Sequence, residues 1–320
     1  MIFITGGSGF IGSHLLDRLR ASGEPGRFLS RRRDWKAASP LETAYADLSD
    51  GPAIEEALEG VDTVIHLAGA TKALRPADYR AANVLATEVL ARACARRGIR
   101  RLVHVSSLAA AGPSPGGRPL DEEAEPHPIS HYGRSKLEAE IIVRTHVPEA
   151  VILRPPVVYG PRDTGVLEVL KPIARGYALE ITGGPRFFSA IFVADLVDAL
   201  LAAARVDRAA GRTYFAAHPK ANSWGELADA ASRIMHVKPK VLRVPPALAA
   251  AVGYGADIWS RMTGKPGIIS RDKIADARCA CWTCDWRRAA AELGFEAKTS
   301  LEEGLAQTLS WYKESGWLRY

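Results

Sequence analysis

The sequence predicts an α/β fold: a doubly wound parallel sheet followed by a smaller, mainly helical C-terminal portion. Three observations carry this. Through the first half, short apolar runs alternate with stretches at helical spacing, the rhythm of βαβ units. The first apolar run, Ile2-Phe3-Ile4, passes straight into the glycine-rich Thr5-Gly6-Gly7-Ser8-Gly9-Phe10-Ile11-Gly12 and then into a helical pattern. After Asn222 the apolar residues recur mostly at helical spacing. Composition agrees: 320 residues, 47% hydrophobic and 24% charged, is ordinary usage for a globular chain of about two domains. It excludes a disordered chain, a collagen and, with no sustained heptad, a coiled coil.

In order, the first strand is followed by a helix from about Ile11 to Ala21. Phe28-Leu29 gives the second strand, and Ala44-Tyr45 leads into Asp47. Ala53 to Leu58 reads as a helix and the apolar Val61 to Ala68 as a buried strand. Leu85, Val89, Leu90 and Ala93 share one face of a helix spanning about Ala77 to Arg97. Leu102 to Ser106 is a strand, Tyr132 to Thr145 a helix, and Val151-Ile152-Leu153 another strand. Ile191 to Ala204 reads as a strand end running into a helix, and Thr213 to Ala216 as a late strand. Helices are expected at Trp224 to Met235, Pro246 to Met262, Trp286 to Leu293 and Leu301 to Ser315. Pro246 to Trp259 is strongly apolar, yet short of the about 20 residues a bilayer crossing takes. It is expected to be a core helix or lid, or a surface that meets a lipid-like molecule.

The net charge is +6. The basic runs, Arg31-Arg32-Arg33 and Arg96-Arg97 with Arg100-Arg101, are short and carry no interleaved aromatics of the kind a single-strand binder uses. Nucleic acid is therefore not an expected partner, and the excess suits a small anionic ligand. The four cysteines are Cys94, Cys279, Cys281 and Cys284, too few for a disulfide scaffold. Cys279, Cys281 and Cys284 lack a fourth ligand at a zinc-site spacing, so no metal is expected. No charged region precedes an apolar stretch at MIFITGG, and no apolar run is long enough to span a membrane. A cytoplasmic location is the expectation.

Gly6, Gly9 and Gly12 join a strand to a helix. Small residues there let an anionic pyrophosphate reach the helix N-terminus, where free N–H groups and the helix dipole hold negative charge. In this strand–turn–helix setting the motif reads as a dinucleotide site lined by Gly6, Gly9, Phe10, Ile11 and Gly12. A carboxylate at the end of the second strand would bind the ribose 2′-hydroxyl of NAD. That position holds Ser30, followed by Arg31 and Arg32, which suit a 2′-phosphate. NADP is the preferred expectation, with NAD possible, and Asp47-Leu48 lies where it can cap the adenine. Further on, Tyr132 and Lys136 are one helical turn apart on one face. A neighbouring ammonium lowers a phenol's pKa from its usual value of about 10, so that tyrosine can exchange a proton with an alcohol or carbonyl oxygen. Ser106-Ser107 closes a buried strand and can present a hydroxyl to the same oxygen.

With these motifs, the chain resembles the extended short-chain dehydrogenase/reductases over nearly its whole length. That family includes sugar-nucleotide epimerases and enzymes like 3β-hydroxysteroid dehydrogenase and dihydroflavonol reductase. The resemblance is carried by TGGSGFIG, ADLSD, VIHLAG, Asn83, HVSS, YGRSK, LRPPVVYGP, FVADLVDAL and ELGFEAKTSLEEGLAQTLSWY. It implies a Rossmann domain, a catalytic trio of Ser107, Tyr132 and Lys136, and a nicotinamide bordered by Pro155-Pro156 and Val158. It adds Leu67, Ala68, Gly69 and Asn83 to the cofactor residues. It also implies a homodimer through a four-helix bundle built from the helices near residues 77–97 and 132–146. The expected division is a dinucleotide-binding domain at residues 1–160 plus 190–217 and a substrate-binding domain at 161–189 plus 218–320.

Departures from the family patterns narrow the reaction. The dehydratases of this family carry an Asp-Glu pair after the serine or threonine; here Leu108-Ala109-Ala110 follows Ser107. Ala111 stands where an aromatic residue often precedes Gly112, which opens the pocket. Sugar-nucleotide epimerases usually carry an Asn in the stretch matching Arg154-Pro155-Pro156, and an Arg where Phe188 aligns, although Arg186 is close by. Phe187, Phe188 and the apolar 246–259 segment suit a less polar small-molecule substrate. The expected activity is NAD(P)-dependent hydride transfer between nicotinamide and a secondary alcohol or ketone. The alternative is a nucleotide-sugar 4-epimerase or 4-ketoreductase holding NAD tightly.

Overall fold

A computed structural model describes residues 1–34, 40–264, 267 and 271–320. Its centre is a seven-stranded parallel sheet of β1 (Ile2–Thr5), β2 (Gly26–Ser30), β3 (Leu41–Tyr45), β4 (Thr63–His66), β5 (Arg101–Val105), β6 (Val151–Arg154) and, late in the chain, Thr213–Phe215. Across the sheet the order runs from Thr213–Phe215 through β6, β5, β4 and β1 to β2 and β3. The winding therefore reverses between β1 and β4, and in such sheets ligands bind beyond the strand ends at that crevice.

The helices that follow the early strands are α1 (Phe10–Ser22), α2 (Gly51–Ala57), α3 (Pro76–Tyr79), α4 (Ala86–Arg97), α5 (Leu108–Ala111) and α6 (His131–His146). The expected helix at 77–97 exists as α3 and α4 joined by a π-helical turn, Arg80–Leu85. Successive strand residues serve opposite faces. Ile4, Ile65 and Val103 pack under Leu15, Leu16 and Leu19 of α1, whereas Phe3, Val64 and Leu102 pack under Ile54, Leu90 and Val143 of α2, α4 and α6. Two covered faces are why these strands read as unbroken apolar runs. The sheet centre also buries a polar pair: His66 is hydrogen-bonded to Thr5 (2.6 Å) and Thr87 (2.9 Å), and burial brings its imidazole down to about 3.

Beyond β6 lie β7 (Val157–Tyr159), α7 (Gly165–Ala174), β8 (Tyr177–Ile181), β9 (Phe187–Phe188), β10 (Ala190–Phe192) and α8 (Val193–Arg205). Thr213–Phe215 is β11, and β12 (Asn222–Ser223), α9 (Trp224–Met235), β13 (Lys240–Val244), α10 (Pro246–Thr263), α11 (Arg271–Arg278), β14 (Cys281–Trp282), α12 (Arg287–Leu293) and α13 (Leu301–Glu314) complete the chain. α8 covers the same face as α1 through Leu196 and Leu200. A second core gathers α7, α9 and α13 around Tyr159, Phe188 and Phe192. The portion after Asn222 is less uniformly helical than its spacing predicts, because β13 pairs in parallel with β8 and β14 with β9. α10 leaves an apolar face open: Leu248 is 55% exposed, Val252 50%, Trp259 67% and Met262 76%. Among the described residues, no helix is long and apolar enough to cross a membrane.

Candidate active site

The turn after β1 is built by the chain's own close packing. Gly6 has φ +75°, and a Cβ on it would lie 2.6 Å from the Ala68 nitrogen; on Gly12 it would lie 2.2 Å from the Gly6 carbonyl oxygen. Both positions exclude a side chain for structural reasons, whereas the sequence argument assigned all three glycines to ligand clearance. Gly9 fits that argument better: it is the N-cap of α1, with no side chain across the N-terminal N–H groups. Gly6, Gly9, Phe10, Ile11 and Gly12 all border one cleft of about 2180 Å³. A 13-residue helix aiming its N-terminus into this cleft, behind a side-chain-free cap, fits the pyrophosphate of a dinucleotide.

Leu67, Gly69, Asn83, Pro155 and Val158 line the same cleft. Ala68 does not; its N–H donates to Thr5 Oγ1 at 3.3 Å, holding the chain beside Gly6. Asn83 sits in the π turn with its amide committed to protein: Oδ1 accepts from the Ala70 N–H (2.6 Å), and Nδ2 donates to the Ala70 carbonyl (3.0 Å) and to Ser135 Oγ (2.9 Å). It clasps the loop after β4 to α6.

Ser30, Arg31, Arg32, Asp47 and Leu48 lie at the ends of β2 and β3, outside the lining of this cleft. Ser30 Oγ accepts from the Arg32 N–H at 3.1 Å, and the Arg32 guanidinium is paired with Asp34 at 2.7 Å. Arg31 is 80% exposed, 4.0 Å from Asp47. Hydrogen bonds from Ser49 hold the Asp47 carboxyl below its usual range. A carboxylate therefore does reach the end of β2, brought by β3 rather than by the residue at position 30. Leu48 packs against the core under α2 and α4.

Ser107, Tyr132 and Lys136 converge in the cleft. Ser107 is the N-cap of α5, its Oγ accepting from the Ala109 N–H at 3.1 Å. Ser130 caps α6, accepting from the Gly133 N–H at 3.2 Å, which starts that helix at Tyr132's doorstep. Lys136 is 5% exposed, donates to the Val105 carbonyl at 2.7 Å, and is brought by burial from 10.5 down to about 8. Tyr132 moves the opposite way from the sequence expectation. Burial pushes its phenol above 10, the hydrogen bond with Ser107 pulls it back, and the charge of Asp276 pushes it up again. The expected depression by Lys136 does not prevail, because the phenol is buried and the ammonium is turned onto a backbone carbonyl. Deeper in α6, Glu140 and Arg154 form a buried bidentate pair at 2.9 and 2.6 Å that fixes the helix to β6.

α11 was not anticipated. Asp272 accepts the His131 N–H at 2.7 Å, and the Lys273 ammonium stands 5.5 Å from the centre of the Tyr132 ring. Asp276 borders the cleft; burial, opposed by Lys273, brings its carboxyl up to about 6. RDKIADAR has no apolar face and reads as a solvated surface helix, so nothing local in the sequence signals that it covers the site. Arg186 borders the cleft as well, but its guanidinium donates to the carbonyls of Ile181 (2.5 Å), Gly184 (3.1 Å) and Thr182 (3.1 Å), holding the loop between β8 and β9. Phe188 is 2% exposed and stacks on Trp224 at 4.3 Å. At its far end the cleft is walled by Leu179, Val241, Leu248 and Val252, the last two on the open face of α10.

Comparison with known proteins agrees with this architecture. The chain is 31% identical to a ceramide reductase of Caulobacter vibrioides over 99% of its own length and 96% of that protein's. It is 28% identical to the N-acetyl-alpha-D-glucosaminyl-diphospho-ditrans,octacis-undecaprenol 4-epimerase of Escherichia coli O157:H7, covering 97% of this chain and 94% of that one. The solved structure of MoeE5 in complex with UDP-glucuronic acid and NAD superposes with a TM-score of 0.78 at 27% identity, covering 98% and 99% of the two chains. Residues 2–217 match the family of NAD dependent epimerases/dehydratases. The parallel sheet, its glycine-rich turn and this match over most of the sheet-forming chain lead to one conclusion: the protein belongs to the NAD dependent epimerase/dehydratase family.

Proposed function

We propose that the protein is a nicotinamide-dependent reductase of a ketone carried on a lipid-like substrate. The observation that carries this is the junction, in one cleft, of Ser107, Tyr132 and Lys136 with an apolar far wall from β8, β13 and α10. The ceramide reductase relative supports the reaction type and an apolar substrate. Arg186, spent on three carbonyls, is poorly placed to grip a diphosphate.

A bound nicotinamide supplies the hydride. The chain does the rest. Tyr132 donates its phenolic proton to the ketone oxygen as that oxygen gains charge, and a phenol held above 10 stays protonated at neutral pH, the form reduction needs. Ser107 steadies the same oxygen with its hydroxyl. Lys136, with Glu140 one turn on and the Arg154 pair behind it, holds positive charge beneath the phenolate left after transfer. Gly9 at the N-cap and the N-terminal N–H groups of α1 bind the pyrophosphate.

We propose residues 1–160 plus 190–217 as the cofactor portion and 161–189 plus 218–320 as the substrate portion. For the cofactor, relatives solved with NAD favour NAD, whereas Ser30 and the exposed Arg31 suit the 2′-phosphate of NADP; titration with both cofactors decides. We also propose a homodimer through the helical stretch 77–97 and α6, where Leu85 of the π turn (43% exposed) and Ile141 of α6 (60% exposed) stand open, tested by light scattering.

The test is turnover of long-chain ketones with NADH and NADPH. Tyr132→Phe is expected to lose about 10²–10⁴-fold in kcat with cofactor affinity retained; an active Phe variant would falsify the assignment. The undecaprenol-linked epimerase relative favours a second reading, a 4-epimerase on a lipid-linked or nucleotide-linked sugar. That reading requires NAD that survives gel filtration and sugar epimerisation without net cofactor turnover.

A further inference from the structure

α11 contributes Lys273, Ile274, Asp276 and Ala277 to the wall of the cleft, beside Trp282 of β14, and Asp276 is the one acidic side chain of that helix in the lining. We propose that Asp276 is a substrate-recognition subsite, accepting a hydrogen bond from a hydroxyl or amide N–H that the substrate carries near its reacting carbon. The inference rests on the reading of the cleft as a ketone reductase site and adds what the substrate must carry beside its ketone.

Four observations support it. Asp276 and Tyr132 border the same cleft, and the carboxylate's charge acts on the phenol, so both side chains face a molecule bound there. The Ser130 hydroxyl and the Lys273 ammonium both favour its ionised form, yet its Oδ1 is buried with no hydrogen-bond partner among the described residues; an ionised carboxylate can only accept, so what that oxygen lacks is a donor. The residue is held rigidly: its backbone carbonyl accepts from Trp282 Nε1 at 2.8 Å and from the Cys279 N–H at 3.2 Å, while Asp272, one turn earlier, accepts the His131 N–H at 2.7 Å. The wall around it is mostly apolar, the setting in which a single placed polar group fixes ligand orientation. Lys273 stands over the Tyr132 ring, and its charge favours the ionised carboxylate. A substrate with no donor leaves the carboxylate desolvated and unpaired, which penalises it more than a missing contact alone would.

The test uses two medium-chain probes: a ketone with a hydroxyl on the adjacent carbon, and its O-methyl ether. Each is titrated calorimetrically into the whole chain saturated with an oxidised nicotinamide cofactor, NAD or NADP, which cannot reduce the probe. The unsubstituted protein should bind the hydroxyketone at least about tenfold more tightly, as expected for a hydrogen bond to a charged group. Asp276→Leu should bring the two within about twofold, and Asp276→Asn, which keeps the shape and serves if the leucine variant fails to fold, should narrow the ratio several-fold through its weaker neutral acceptor. Equal binding of both probes by the unsubstituted protein, or a ratio unchanged in Asp276→Asn, overturns the subsite. Turnover of the plain ketone of the same chain length is followed separately. If that ketone is not reduced while the binding ratio behaves as stated, the reductase reading fails and the subsite stands.

Discussion

Replacing Lys136 by methionine should make the folded protein more stable while ending catalysis, and the gain should depend on pH. The ammonium is 5% exposed, and its fall from 10.5 to about 8 is driven by burial. At about 1.4 kcal/mol per tenfold, keeping that charge in the folded state costs about 3 kcal/mol. Methionine removes the cost but strands the Val105 carbonyl, which accepts the ammonium at 2.7 Å; the loss is about 1–2 kcal/mol. The net gain at pH 7 is about 1–2 kcal/mol. The sign follows from linkage. Below pH 8 the parent carries the charge in both folded and unfolded states and bears the full cost. Between about 8 and 10.5 the folded state releases its proton first, so the parent gains stability as pH rises. By pH 10 the order of the two proteins should reverse. Urea denaturation of both at pH 7 and pH 10 measures this. A methionine variant less stable at pH 7, or a difference that does not move with pH, refutes the assignment of a buried, strained ammonium.

Three other substitutions probe different parts of the site. Glu140→Ala leaves Arg154 buried without its bidentate partner and should cost about 3–5 kcal/mol by denaturant midpoint, far more than the exposed pair of Arg92 and Glu88 would. Gly12→Ala puts a Cβ 2.2 Å from the Gly6 oxygen and should lower both stability and dinucleotide affinity, whereas Gly9→Ala, 3.2 Å from the same atom, should lower affinity with little change in melting temperature. Arg31→Glu, beside Asp47 at the end of β2, should shift the ratio of NADPH to NADH affinity by about tenfold or more toward NADH; an unchanged ratio removes Arg31 from the cofactor site.

What the sequence revealed was what is local. The glycine turn, the one-turn spacing of Tyr132 and Lys136, and the apolar runs of β1, β4 and β5 each lie within a few consecutive residues. Hence the parallel sheet could be read directly, and the resemblance named Ser107, Tyr132 and Lys136, which the fold brings to one cleft. What was missed depends on distance along the chain. β8 and β13 pair across a long interval, and their open-faced residues carry no strand pattern strong enough to stand alone. The polar α11 gives no sign of where it docks. The direction of the Tyr132 shift was misjudged because burial outweighs a neighbouring charge, and burial is a property of the whole fold. Asn83 was assigned to the cofactor by resemblance; it borders the cleft, but the hydrogen bonds of its amide to Ala70 and Ser135 could not be read from the sequence.

The π turn at Arg80–Leu85 holds one residue more than an α-helical path would need. Excising any single residue there would let the segment relax to regular α geometry. Because the wide turn has already taken up the extra residue, the helices on either side would keep their mutual orientation, and only the residues of the turn itself would be re-aimed. The amide that bridges two distant parts of the molecule would swing off its partners, although no group that touches a ligand had been altered. A one-codon deletion well away from the chemistry would thus act as a loss of alignment, and reinserting a residue of almost any kind nearby would restore it.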